Sequence, residues 1–228
     1  MINGRTMAIV TIYAAAMALL ESAVVVYLRR LYYPDNPLDI FPLQFLGSYD
    51  AVVELSRELA TVIMILSVAL LVERSSRIRS FAAFVFVFGV WDIFYYVWLK
   101  ILIGWPRSWL EWDVLFLIPI VWLGPWICPV LISLLFIAWG FWTLCSTDEI
   151  SFTSRSLSLF SIGVVLGLSA FFQPAAAVLM KGGVEELNEY TPGSFWWWLF
   201  IPSLMLMACG LGMTLRDSKA HSKLHTPI

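Results

Sequence analysis

The chain has 228 residues, of which 61% are hydrophobic and 13% are charged, with a net charge of −2 and a mean hydropathy of +0.84. Soluble domains contain about 45–50% apolar and about 25% charged residues, so this composition excludes the soluble class, and it equally excludes disordered chains, coiled coils and disulfide scaffolds. A near-neutral charge offers no concentrated basic face for a nucleic-acid partner. We therefore predict an integral membrane protein whose first partner is the lipid bilayer.

Six stretches of the chain are long and apolar enough for transmembrane helices, which need about 20 apolar residues each. The predicted spans are residues 7–28, 51–72, 81–103, 126–145, 156–180 and 195–215. Together they predict an all-α protein with a single polytopic transmembrane domain over residues 1–215. A polar tail, residues 216–228, follows it and is expected to be loosely ordered and cytoplasmic.

The apolar region before the fourth helix is too long to form one span with it, and it is interrupted by Pro119, Pro125 and Pro129. Proline disfavours a helix interior because it lacks the amide donor and its ring clashes with the preceding turn. We therefore divide this region into a short membrane-dipping or interfacial segment, residues 114–123, and the fourth helix. Unwound backbone at membrane depth would have to face protein or a cavity, whereas a proline-capped interfacial helix is the alternative.

Lysine and arginine in the loops predict the orientation. Eight lie on the side of the two termini: Arg5, Arg74, Arg77, Arg79, Arg155, Arg216, Lys219 and Lys223. Five lie on the other side: Arg29, Arg30, Lys100, Arg107 and Lys181. We therefore predict that both termini are cytoplasmic. Two tryptophan groups, Trp105 to Trp112 and Trp196 to Trp198, gather at the predicted outer boundary, as an interfacial aromatic belt would.

The fifth span carries Gly163 and Gly167 in a G-x-x-x-G pattern, which is typical of a surface for close helix packing. The pattern leaves open whether this surface packs within the chain or against a partner. The small size of the protein favours a homo- or hetero-oligomer.

No haem or metal cofactor is expected, since intramembrane sites of that kind usually need histidine ligands. The two histidines, His221 and His225, lie in the polar tail, and the three cysteines lie in apolar segments without a C-x-x-C pattern. A bound lipid or quinone is compatible with the sequence. Acids at membrane depth also allow a carboxylate-only metal site in principle, but no E-x-x-H pair supports it.

Six acids and bases fall inside the predicted spans, where ionisable residues mark a functional site by default. They are Glu21, Glu54, Arg57, Glu58, Asp92 and Lys100. At helical rise, the acids lie about 5–16 Å below the outer boundary. Helical spacing places Glu54, Arg57 and Glu58 within one arc of the second helix, and it aligns Asp92 with Tyr96 and Lys100 on the third. We predict an outward-facing polar pocket between the first three helices, lined by these six residues and Tyr96.

Four acids face two bases in this predicted pocket, so one or two carboxyls should carry a proton or face a bound cation. The leading hypothesis is a non-catalytic protein that binds a proton, a cation or a lipid-like ligand such as a quinone, as a transporter, a proton relay or a subunit of a larger complex. The alternative is a membrane-embedded enzyme acting on a lipid or isoprenoid, with Glu54 or Glu58 as acid/base and Arg57 orienting the substrate. A purely structural assembly subunit is the third.

Two structural interpretations of the charged cluster stay open beside these functions. In one, Arg57 pairs with Glu54 and Glu58 while Lys100 pairs with Asp92, and the ion pairs fix the helix register. In the other, the second helix begins a few residues later than predicted, and its charges lie at the level of the lipid head groups.

Overall fold

The computed structural model describes residues 2–44, 47–183, 187 and 190–224; the side chains of 48, 181 and 217–224 are not part of this description. In chain order the elements are α1 Gly4–Tyr32, α2 Ser48–Val72, α3 Arg77–Ile103, β1 Trp112–Phe116, β2 Trp122–Pro125, α4 Ile127–Cys145, α5 Ser154–Gly182 and α6 Trp197–Leu224. Six helices in this described part are long and apolar enough to cross a membrane. The chain is a predominantly helical, multi-pass membrane protein, as its composition predicts.

Polar caps set the helix ends, so most helices are longer than the apolar runs that predict them. Asn3 caps α1 by accepting a hydrogen bond from the Thr6 amide at 2.8 Å, and Ser76 and Thr153 cap α3 and α5 in the same way. Gly104 ends α3 at φ 76°, a left-handed conformation that glycine adopts without a steric penalty. These caps extend the helices because backbone amides need partners even where apolar content ends.

The last helix departs most from the predicted boundaries. It begins at Trp197 and continues to Leu224, so much of the predicted tail, residues 216–228, is helical rather than loosely ordered. Residues 225–228, and with them His225, lie outside the described residues.

Glycines allow two helix pairs to approach closely. A Cβ at Gly163 would lie 2.7 Å from the Met207 amide nitrogen on α6, and one at Gly210 would meet α5 backbone at the same distance. Likewise, a Cβ at Gly89 on α3 would lie 2.7 Å from the Ser133 carbonyl oxygen on α4. The G-x-x-x-G face of the fifth span therefore packs within the chain, against α6.

An antiparallel hairpin, β1–β2, occupies the region where the sequence predicts a membrane-dipping or interfacial segment. Asp113 pairs with Gly124 and Val114 with Leu123 across the two strands. Pro119 and Pro125 disfavour a helix here because they lack an amide donor, and strand pairing satisfies backbone groups on either side of the turn. The proline-capped helix is therefore not what these residues form.

Helix α3 lies at the centre of the bundle. In its most apolar stretch 61% of the residues are buried, against 22–33% in the other five helices. It packs against α1, α2 and α4, so a polar residue on α3 faces protein on most sides.

Arg79 closes the bundle at the end where α3 begins. Its guanidinium donates to three carbonyl oxygens at the C-terminus of α4, those of Thr143, Leu144 and Ser146, at 2.9–3.1 Å. It also donates to Glu73 Oε2 at 3.0 Å. Burial by itself would raise the pKa of Glu73, but hydrogen bonds from Ser75 and Arg79 lower it to about 2. A cation at a helix C-terminus also interacts favourably with the helix dipole.

Candidate functional site

A cavity of about 430 Å³ lies at the opposite end of the bundle, which we call the cavity end. It is enclosed by α1, α2, α3, the β1–β2 hairpin, the loop 33–44 and the end of α5. Most of its wall is apolar and includes Val25, Leu28, Leu55, Leu115, Phe116, Ile120 and Val121. Its polar lining consists mainly of carboxylates and two arginines, described in turn below.

Arg57 on α2 joins two acids from two helices. Its Nε and Nη2 donate to Glu54 Oε2 at 2.9 and 2.7 Å, and its Nη1 contacts Glu21 Oε1 on α1. The Thr61 hydroxyl donates to the other oxygen of Glu21 at 3.1 Å. Glu54 lies one helical turn before Arg57, as their spacing predicts, but the second partner of Arg57 is Glu21 rather than Glu58.

Glu58 and Asp92 form no ion pair with any described residue. Glu58 accepts a hydrogen bond from the Leu117 amide in the hairpin turn at 2.9 Å, and Asp92 accepts one from the Ser133 hydroxyl at 2.8 Å. Both side chains are buried and both line the cavity. Within the described part of the chain, the two carboxyls therefore have neutral hydrogen-bond donors but no cation in direct contact.

A second ion pair lines the cavity, and the sequence does not predict it. Arg29 Nη2 lies 3.0 Å from Asp113 Oδ1, and both side chains are almost fully buried. The Arg29 guanidinium also lies 4.0 Å from the ring centroid of Trp105, a cation–π contact. Burial raises the pKa of Asp113 to about 6, although Arg29 and the Val114 amide oppose this shift.

The sequence does not predict this pairing because both residues flank predicted membrane segments, where charges normally face water. Arg29 directly follows the predicted first span, and Asp113 directly precedes the predicted membrane-dipping segment, 84 residues later. The nearest signal is the tryptophan group around Trp105, which the aromatic belt explains equally well. With Asp113 included, five acids and two arginines line the cavity.

The structure brings six of the seven predicted pocket residues to one cavity: Glu21, Glu54, Arg57, Glu58, Asp92 and Tyr96. Lys100 does not line it. Its ammonium donates to the carbonyl oxygens of Gly104 and Pro106, which follow the end of α3, at 3.0 and 2.8 Å; carbonyls outside regular elements need such partners. It is therefore not the partner of Asp92.

Among the residues that the structure describes, no three His, Cys, Asp or Glu side chains converge closely enough to hold a metal ion. Arg57 brings Glu21 and Glu54 together, whereas Glu58 and Asp92 have separate partners in the hairpin turn and on α4. Comparison with protein-family models, curated proteins and solved structures finds no match to this chain.

Proposed function

We propose that the cavity binds a lipid-like, amphipathic molecule, and that the protein holds or carries this ligand as a small transporter or as a subunit of a larger membrane complex. The observation that carries the proposal is the pair of buried carboxyls, Glu58 and Asp92, which face a largely apolar cavity and form no ion pair with a described residue. A volume of about 430 Å³ is in the ordinary range of ligand pockets, which combine apolar walls with a few polar groups.

The charge of the lining indicates the class of head group. Five acids against two arginines disfavour an anionic head group, because a further buried negative charge would have no partner. A cationic or neutral hydrogen-bonding head group suits the site, such as an amine, an amide, an alcohol or a quinone. An organic ligand is favoured over a metal ion, since no three acids in the described part of the chain converge closely enough to hold one.

The hydrocarbon part of such a ligand has a route from the bilayer. Leu55 on α2 and Ile120 in the hairpin turn both line the cavity, yet their side chains are 39% and 36% exposed. In a membrane-spanning bundle, exposed apolar side chains face lipid. We therefore place the opening between α2 and the turn of the hairpin.

The enzyme alternative receives less support from this geometry. It assigns Arg57 the task of orienting a substrate, but the Arg57 guanidinium already contacts Glu21 and Glu54. Glu54, one of the two acid/base groups that the enzyme hypothesis requires, forms an ion pair with the same arginine.

The proposal is tested by native mass spectrometry of the purified protein with lipids that share one hydrocarbon chain and differ in the head group. Oleylamine and oleamide should bind at least about tenfold more tightly than oleate, since one unpaired charge in a buried site costs more than that factor. Leu28→Trp, which places a larger side chain in the cavity, should abolish binding. Leu31→Trp on the same helix should not, because Leu31 is 70% exposed and does not line the cavity. Tighter binding of oleate, or equal binding by the two variants, would contradict the proposal.

We further propose that both termini are cytoplasmic, which would place the cavity in the outer half of the membrane. The support is the eight-to-five lysine and arginine asymmetry of the loops. The test is labelling of Ser75→Cys and Ser194→Cys with a membrane-impermeant maleimide, in a background without the native cysteines. Ser194→Cys should react in intact cells and Ser75→Cys only after permeabilisation, and the reverse pattern would invert the topology.

A further inference from the structure

The Arg29–Asp113 pair carries an unused donor and an unused acceptor. Arg29 Nη2 and Asp113 Oδ1 contact each other, but Arg29 Nη1 and Asp113 Oδ2 are buried without a hydrogen-bond partner among the described residues. The residues are only 4% and 2% exposed, and both line the cavity. Buried polar groups nearly always have partners, so two unpartnered atoms in one ion pair call for an explanation.

Both side chains are held in place before any ligand arrives. The Arg29 guanidinium is fixed by its contact with Trp105 at 4.0 Å and by Asp113, and Asp113 is fixed by strand β1, where it pairs with Gly124. Groups that are oriented in advance lose little conformational entropy on binding. The donor Arg29 Nη1 and the acceptor Asp113 Oδ2 are therefore preorganised for a ligand in the cavity.

The chemistry of this donor and acceptor selects their partner. Because the ion pair is already balanced, a charged head group gains little from it, and the carboxylate excess of the cavity disfavours an anion. The complementary group is neutral and both accepts and donates a hydrogen bond, as a carboxamide or a hydroxyl does. An ester or a quinone accepts only, so it would leave Asp113 Oδ2 unpaired.

We propose that Arg29 and Asp113 form the head-group subsite of the cavity, which takes a neutral lipid whose carboxamide or hydroxyl head accepts from Arg29 Nη1 and donates to Asp113 Oδ2. The chain of this lipid lies along the apolar wall formed by residues such as Leu28 and Leu115. This inference rests on the proposed function, since it names the ligand class of the same cavity. It goes further by separating donor–acceptor lipids from acceptor-only lipids.

The test compares oleamide with methyl oleate, which share one chain length but differ in the donor. The wild-type protein should bind oleamide about tenfold more tightly, the factor that one hydrogen bond to a charged group provides. Asp113→Asn keeps the side-chain shape but replaces one carboxylate oxygen with an amide donor. The preference should then fall to less than about twofold, mainly through loss of oleamide affinity, and thermal unfolding checks that the variant is folded.

The outcomes separate the subsite from the cavity. If oleamide and methyl oleate bind the wild-type protein equally, or if folded Asp113→Asn keeps the full preference, the subsite is refuted while binding that Leu28→Trp abolishes still supports the cavity. If Leu28→Trp leaves lipid binding intact, the proposed function itself fails. The wild-type ratio decides the question even if Asp113→Asn does not fold.

Discussion

Replacement of Arg57 by alanine should destabilise the protein much more than replacement of Glu58 by glutamine. Arg57 is the cation that the structure places against both Glu21 and Glu54, which are buried on two different helices. Without it, two carboxylates remain near each other with no compensating charge. Glu58, by contrast, forms no ion pair with a described residue and accepts from backbone amides of the hairpin turn, such as that of Leu117.

The magnitudes follow from burial. Removing one member of a buried ion pair costs about 3–5 kcal/mol, and since the Arg57 side chain is 21% exposed, water reaches part of it and we expect the lower end, about 3 kcal/mol. The side-chain oxygen of a glutamine at position 58 can still accept the Leu117 amide. Glu58→Gln should therefore cost less than about 1 kcal/mol.

Unfolding of the purified protein in detergent, followed by circular dichroism and by tryptophan fluorescence, measures both variants. A triple variant with Arg57→Met, Glu21→Gln and Glu54→Gln provides the matched control, because neutralising all three groups removes the unpaired charges. It should recover most of the stability lost in Arg57→Ala. Equal destabilisation by Arg57→Ala and Glu58→Gln, or no recovery in the triple variant, would show that these residues lie in water rather than in a buried cluster.

Three further predictions concern packing and pH. Gly163→Ala should lower the free energy of unfolding by about 1–3 kcal/mol, because its Cβ would lie 2.7 Å from α6 backbone. Gly212→Ala, whose Cβ would have no atom within 4 Å, should be neutral or stabilising in the same melting assay. Equal effects of the two variants would refute the close packing. The pKa of Glu73 is lowered from 4.5 to about 2, so its carboxylate stabilises the fold above about pH 4.5 and this contribution is lost as the pH falls towards 2. The difference in stability between the wild type and Glu73→Gln should therefore close over that range. A difference that stays constant would contradict the lowered pKa. The pKa of Asp113 is raised from 3.8 to about 6, so its contribution to stability is greatest below about pH 4 and declines as the pH rises through 6. The stability of Asp113→Asn should not show this decline. A pH profile identical to that of the wild type would count against the raised pKa.

The sequence by itself determined the spans and the helix faces. A membrane requires runs of about 20 apolar residues, and such runs are visible without any knowledge of the fold. Helical periodicity then placed Glu54, Arg57 and Glu58 on one side of α2, and the depth of Glu21 and Asp92 brought them to the same level. For this reason six of the seven predicted pocket residues line one cavity.

Only the tertiary structure decided which charges meet. Periodicity gives the face of a helix but not the few ångströms between side chains on different elements, so it could not show that Arg57 reaches Glu21, that Lys100 turns to carbonyl groups, or that Arg29 meets Asp113. The hairpin was equally hidden, because the prolines show where a helix fails but not which strands pair instead. Ion pairing between side chains of different elements depends on how closely the elements approach, and that approach is a property of the packed bundle.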